Sequence, residues 1–153
     1  MNLYLVRHGE SLPKEKDYEQ GLSAKGIDDI KKIANIAKES GLSLSVIKHS
    51  AKKRAKQTAE IFAEYMHPIN GVSEMQGLNP LDEVSDILID LENENNIMLV
   101  GHLPFMERLV SYLITGSQAK KIITFHNGTI VAMEKDIITN EWTINWKIPI
   151  QIY

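Results

Sequence analysis

The sequence predicts an α/β fold, an open sheet whose inner strands are buried on both faces, and three observations predict it. The run Leu3-Tyr4-Leu5-Val6 has no polar alternation and ends at the Gly9 turn, the pattern of a strand covered on both sides. Residues 45–50 and 97–102 read as a second and a third strand, each leading into a helical pattern. All three strands deliver an Arg, a His or both at their carboxyl ends, where ligands bind in open α/β sheets.

Arg7-His8-Gly9-Glu10 closes the first strand. A guanidinium offers a rigid fork of donors matched to phosphate or carboxylate oxygens, and an imidazole is neutral and nucleophilic near physiological pH. Together they point to attack on a phosphoryl group. In isolation Arg7 reads equally well as a strand cap and His8 as a satisfied turn residue. The recurrence of the same residue types at His49, Arg54 and His102 is what packing does not explain.

Residues 11–22 are polar and aperiodic and read as a loop over the site. Ser23 is the expected N-cap of a first helix whose Ile27, Ile30, Ile33, Ala34 and Ala37 recur at helical spacing, with Gly41 as its stop. Gly26 inside that helix is unfavourable by about 1 kcal/mol relative to Ala, so a close approach to a neighbouring backbone is expected. The second strand runs into a helix from Ala51, with Ser50 as N-cap, an apolar stripe of Ala55, Ala59, Phe62, Ala63 and Met66, and Arg54 on its first turn. Thr58 is assigned to local packing; Gln57 is within reach of the rim but is given no role there. His67-Pro68 ends the helix, and residues 71–75 form a short strand. Val84, Ile87, Leu88 and Leu91 at i, i+3, i+4 and i+7 predict an amphipathic helix after Leu78-Asn79-Pro80.

After Gly101-His102-Leu103, Pro104 pre-sets a helix burying Phe105, Leu109, Val110 and Leu113 and ending at Gly116. Residues 122–125, 129–133 and 142–148 read as strands around turns at Asn127-Gly128 and Thr139-Asn140. His126 is assigned a structural role at the end of one of them.

The 153 residues are expected to form one domain, residues 1–153, large enough to bury a core without staples. With no cysteine there is no disulfide framework or thiolate chemistry, and the five histidines show no ligand spacing such as His-Glu-x-x-His, so no metal and no cofactor is expected. No signal-like or spanning apolar segment is seen, which makes a cytoplasmic location the expectation and a membrane partner unsupported. A net charge of -3 argues against general nucleic-acid binding. Lys48, Lys52, Lys53, Arg54 and Lys56 nonetheless form a local basic cluster, either a solvated helix face or a surface that steers an anionic substrate.

Leu5-Val6-Arg7-His8-Gly9-Glu10, His49-Ser50-Ala51-x-x-Arg54-Ala55-x-Gln57-Thr58-Ala59 and Val100-Gly101-His102 resemble the three signatures of the histidine phosphatase superfamily, also called phosphoglycerate mutase-like. Gly21-Leu22-Ser23-Ala24-Lys25-Gly26, Leu78-Asn79-Pro80, Gly101-His102-Leu103-Pro104 and Ile144-Asn145-Trp146-Lys147 look like the SixA-type phosphohistidine phosphatases within it. The resemblance implies a three-layer α/β/α sandwich with a mostly parallel central sheet. It implies His8 as nucleophile and phosphoenzyme carrier, Arg7 and Arg54 as phosphate clamps, and His102 as a further donor. Relatives usually carry Pro where Ala51 stands.

Many relatives also place a carboxylate near mid-chain to protonate the leaving oxygen; here that region reads Gly77-Leu78-Asn79-Pro80, and no carboxylate aligns. Asn79, Glu10, Asp82 and Glu83 are the remaining candidates. An alkoxide needs a proton in the transition state, whereas imidazole leaves with a pKa near neutrality, so weak acid provision favours a phosphoramidate. The expected substrate is phosphohistidine on a protein, a histidine phosphotransfer domain or a phosphocarrier, with inorganic phosphate as product. The alternatives are a small phosphate ester as substrate, or a non-catalytic phosphate-binding module.

Overall fold

The computed structural model describes residues 1–148. Six strands, β1 (Asn2–Arg7), β2 (Val46–His49), β3 (Val72–Glu74), β4 (Ile97–Gly101), β5 (Ile130–Lys135) and β6 (Trp142–Ile148), form one sheet in the order β3-β2-β4-β1-β5-β6. The pairs β3–β2, β2–β4 and β4–β1 are parallel; β1–β5 and β5–β6 are antiparallel. This is the expected mostly parallel sheet with an antiparallel edge.

Strand alternation divides the core in two. Tyr4, Val6, Ile47, Met98, Val100, Ile130 and Ala132 face helices α1 (Ala24–Glu39) and α2 (Lys53–Met66), joining Ile30, Ala34, Ala59 and Phe62. Leu3, Leu5, Ile97, Leu99, Val131 and Met133 face the other way, onto Val84, Ile87, Leu91, Phe105 and Leu109. That second layer holds α3 (Leu88–Leu91) and α4 (Phe105–Thr115). Because successive side chains point to opposite faces, the unbroken apolar character of residues 3–6 is what two helical layers require. Each such fully buried Leu, Ile or Phe stabilises the fold by about 1.5–3 kcal/mol.

The first helix forms as expected: Ser23 Oγ accepts from the Gly26 N–H at 2.9 Å. A Cβ added to Gly26 would collide with the backbone carbonyl oxygen of Glu10, the close approach expected there. Three elements differ from expectation. The amphipathic segment after Pro80 is a 3-10 turn, Val84–Ile87, followed by the single turn of α3, although its apolar face is buried as predicted. Residues 122–125 form no strand: Ile122 is exposed, Phe125 is buried, and the Phe125 carbonyl bonds a side chain, Arg7, instead of a neighbouring strand. The helix after β2 begins at Lys53, with Lys52 as its N-cap residue and no side-chain cap. Among the described residues no helix is long and apolar enough to cross a membrane.

Candidate active site

Parallel register brings the separate motifs to one sheet edge. Arg7 pairs with Gly101 across β1–β4, and His49 pairs with Val100 across β2–β4. The His8 N–H donates to the Gly101 carbonyl at 3.0 Å and the Ser50 N–H to the Val100 carbonyl at 3.2 Å, extending the pairing one residue past the strands. His8, Ser50 and His102 therefore emerge together, although 94 residues separate the two outer ones in the chain. A Cβ on Gly101 would press into the Met106 side chain, so glycine lets the third motif turn closely against α4.

His8 is almost wholly buried, with 9% of the residue exposed. Its Nδ1 lies 2.7 Å from the Gly9 carbonyl. A carbonyl only accepts, so Nδ1 carries the proton and Nε2 keeps a free lone pair. Burial pushes the imidazole down to about 4, with the Gly9 bond opposing and the fields of Arg54 and Arg7 reinforcing the shift. At neutral pH His8 is thus the uncharged, nucleophilic form. Its backbone is fixed as well: the Gly9 N–H donates to Thr58 Oγ1 at 3.1 Å, and the Thr58 hydroxyl donates to the Arg54 carbonyl at 2.8 Å. The local packing expected of Thr58 thereby ties the His8 turn to the turn bearing Arg54.

The two imidazole centroids of His8 and His102 are 5.0 Å apart. His102 Nε2 lies 2.6 Å from Ser50 Oγ, while its buried Nδ1 has no protein partner. Burial first, then the fields of His8 and Arg54, hold His102 down at about 3. Ser50 is not the N-cap expected of it. Its hydroxyl sits close to His102 and 3.4 Å from the Lys52 N–H, so it orients the ring more than the helix.

Arg7 donates from Nη1 to the Phe125 carbonyl at 3.0 Å, and its buried Nε has no partner. Among the described residues no carboxylate forms an ion pair with Arg7 or Arg54. Burial works against both guanidinium charges, offset at Arg7 by the field of Glu107. Two partly desolvated cations that form no ion pair with a carboxylate among the described residues, beside a neutral imidazole, make an arrangement that can bind and orient a phosphoryl group.

The weaker candidates fall elsewhere. Asp82 Oδ2 accepts from the Asn79 N–H at 2.8 Å, closing a turn, and Glu83 is exposed and bonded to Gln118 at 2.9 Å. Glu10 keeps one buried carboxylate oxygen without a partner. Gln57, given no role at the rim, accepts from the Leu22 N–H at 2.6 Å and pins the end of the loop. His126 lies in the turn before β5, its N–H donating to Thr129 Oγ1 at 2.9 Å. Sequence reading missed Ser50 as a partner of His102 and missed Glu107. The signal for Glu107 was a carboxylate on the first turn of the helix that follows the third motif. Among the described residues no three His, Cys, Asp or Glu side chains are grouped as metal ligands would be.

Residues 3–84 match the family model of the histidine phosphatase superfamily, branch 1. The chain belongs to that superfamily. Membership supports hydrolase chemistry on phosphorylated substrates, with phosphate as product. Its fold is similar to that of the protein histidine phosphatase SixA complexed with tungstate, at 23% identity over 96% of each chain with a TM-score of 0.83. It is similar to a SixA of Agrobacterium tumefaciens, at 20% identity over 96% of each chain and a TM-score of 0.77. A phosphoserine phosphatase of Entamoeba histolytica shares the fold at 17% identity over 95% of each chain and a TM-score of 0.73. Among curated protein sequences none matches.

Proposed function

We propose that this superfamily member hydrolyses phosphohistidine on a protein, without a metal, through a phosphoenzyme on His8 Nε2. The observation that carries the reading is the His8 ring. Its Nδ1–H is donated to the Gly9 carbonyl, its Nε2 lone pair is free, and the fields of two guanidinium groups that form no ion pair among the described residues act on it. In the first step Nε2 attacks phosphorus in line and the phosphorus–nitrogen bond of the substrate breaks; the substrate ring, already protonated on its other nitrogen, keeps the electron pair and departs as neutral imidazole. In the second, water attacks the same phosphorus, Nε2 leaves with its electron pair, and inorganic phosphate is released. Arg7 and Arg54 hold the non-bridging oxygens as charge spreads over them. His102 Nδ1, buried and unpartnered, is the ring nitrogen available to bond one of those oxygens.

Two features support phosphohistidine over an ester. No carboxylate of the segment from Leu78 to Glu83 is free: Asp82 closes its own turn and Glu83 is bonded to Gln118. An imidazole leaving group tolerates that arrangement, whereas an alkoxide does not. The likeness in fold to SixA proteins points the same way, while the phosphoserine phosphatase on the same fold keeps a small phosphate ester as the second reading.

The deciding experiment is turnover of a phosphohistidine-bearing protein beside p-nitrophenyl phosphate and phosphoserine, with and without EDTA. The expected result is preference for the phosphohistidine protein, unchanged by EDTA. Preference for phosphoserine would move the assignment to the ester reading and turn attention to Glu10 as proton donor. Loss of activity with EDTA would overturn metal independence, and silence on every substrate would leave a phosphate-binding module.

A further inference from the structure

Two cavities meet at Ala51, beside Arg54, and their linings have opposite charge. One, of about 600 Å³, is lined by five cations, Lys14, Lys52, Lys53, Arg54 and Lys56, and a single carboxylate, Glu19, with Tyr18 beside them. The other, of about 440 Å³, is lined by Glu74, Asp82 and Asp86 and by no cation. Ala51 borders both. The small side chain at the bend before α2 thus divides a basic hollow from an acidic one.

Internal ion pairs account for only part of this charge. Lys53 is held by Asp17 at 3.0 Å and Glu19 at 3.7 Å, and Lys56 lies 4.0 Å from Glu60. Among the described residues Lys14 and Lys52 have no carboxylate partner, and Glu74 and Asp86 have no cation. The Asp17–Lys53 pair, with Asp17 also accepting from the Gly21 N–H at 2.9 Å, anchors the loop that carries Lys14 and Tyr18 against α2. Tyr18 is 86% exposed, an aromatic side chain held at the rim with no packing role of its own. The basic hollow is also contrary to the chain as a whole, whose net charge is -3. A general attraction for polyanions does not follow from it; a local one does.

Resting on the phosphohistidine reading, we infer that the mouth docks its phosphoprotein in one orientation. An acidic flank lies over Lys14 and Lys52, and a basic flank lies over Glu74 and Asp86. Arg54 belongs to both the basic hollow and the phosphate site, so an acidic flank there lies next to the phosphorylated side chain. Reversed docking would set like charges against each other on both sides of Ala51, which costs specificity and affinity together.

The test is binding of two labelled peptides built around a non-hydrolysable phosphonate analogue of phosphohistidine, read by fluorescence anisotropy. One has Glu before and Lys after the analogue; the other has the reverse order. At low salt one of the pair is expected to bind about five- to tenfold more tightly, with the difference shrinking as salt rises. The preference should vanish or invert in Lys14→Glu/Lys52→Glu, and separately in Glu74→Lys/Asp86→Lys. Equal affinities in the unmodified protein, binding of neither this pair nor its phosphoserine counterpart, or a preference that survives both double variants would overturn the inference. The same pair built on phosphoserine separates the two claims. Order preference with phosphoserine alone keeps the docking surface and removes phosphohistidine; binding of the phosphohistidine analogue without order preference does the reverse.

Discussion

The carboxyl ends of β1 and β2 are locally alike and chemically different. His8 and His49 each follow an apolar strand, each is buried, and each donates from Nδ1 to the carbonyl of the next residue at 2.7 Å. On local conformation alone either imidazole has its Nε2 lone pair prepared. The neighbours decide between them. His8 stands within the fields of Arg7 and Arg54 and 5.0 Å from the His102 ring. His49 turns toward the β3 side, where it lines a separate hollow with Lys56, Glu60 and Glu74. At the end of β2 the chemistry passes to the next residue, Ser50, whose hydroxyl meets His102. A prepared imidazole is common to both places; a desolvated cationic clamp is present at one.

The strongest way to break this comparison is to exchange the same atoms at both positions. His8→Asn is expected to lower turnover by about 10³-fold or more and to abolish any acid-labile phosphoenzyme. His49→Asn is expected to stay within about threefold, since it removes a similar buried hydrogen bond but no reacting atom. Comparable losses in the two variants, by steady-state kinetics and radiolabel trapping, would show that strand-end geometry alone carries the function.

Ser50→Ala sharpens the contrast at the end of β2. Losing the 2.6 Å bond leaves a second nitrogen of His102 unsatisfied in a buried setting, which costs about 1–3 kcal/mol. We expect kcat to fall by about tenfold with a displaced acidic limb of its pH profile, and Ser50→Thr to restore most of the loss. An unchanged pH profile with lowered thermal stability would mean that Ser50 is only structural.

The smallest expected effect concerns stability. Well above pH 6.5 the His8 imidazole is neutral both folded and unfolded, and this group takes nothing from stability. As pH falls from 6.5 toward about 4, the unfolded chain takes up a proton that the buried ring refuses, so stability declines. The decline is at most about 1.4 kcal/mol per pH unit for each such ring, and His102 extends it toward about 3. Urea midpoints measured across this window should fall less steeply in His8→Asn than in the unmodified protein. Equal slopes would mean that burial does not suppress protonation of His8.

Particular residues show how much was legible beforehand. Val6-Arg7-His8-Gly9 and Val100-Gly101-His102 could be read as strand ends because apolar runs terminate there and glycine frees the turn, and Arg54 because helical spacing begins beside it. Gly26 announced a close contact, and the contact is the Glu10 carbonyl. Ser50 was misread because a serine before a helix has the same local signature whether its hydroxyl caps that helix or reaches another strand. Residues 122–125 were misread because β-branched residues favour a strand only where a neighbour offers a ladder, and none does there.

By itself, then, the sequence determined most of the strands and helices, the burial of the inner strands on both faces and the identities of the charged and imidazole side chains. These follow from periodicity and turn chemistry, which act over a few residues. Only the tertiary structure decided which imidazole is desolvated, which of its nitrogens carries the proton, and on which side of Ala51 the unpaired cations lie. Those depend on partners brought together across the sheet by the pairing of β1 with β4 and of β4 with β2, and contacts at that separation leave no periodic trace in the chain.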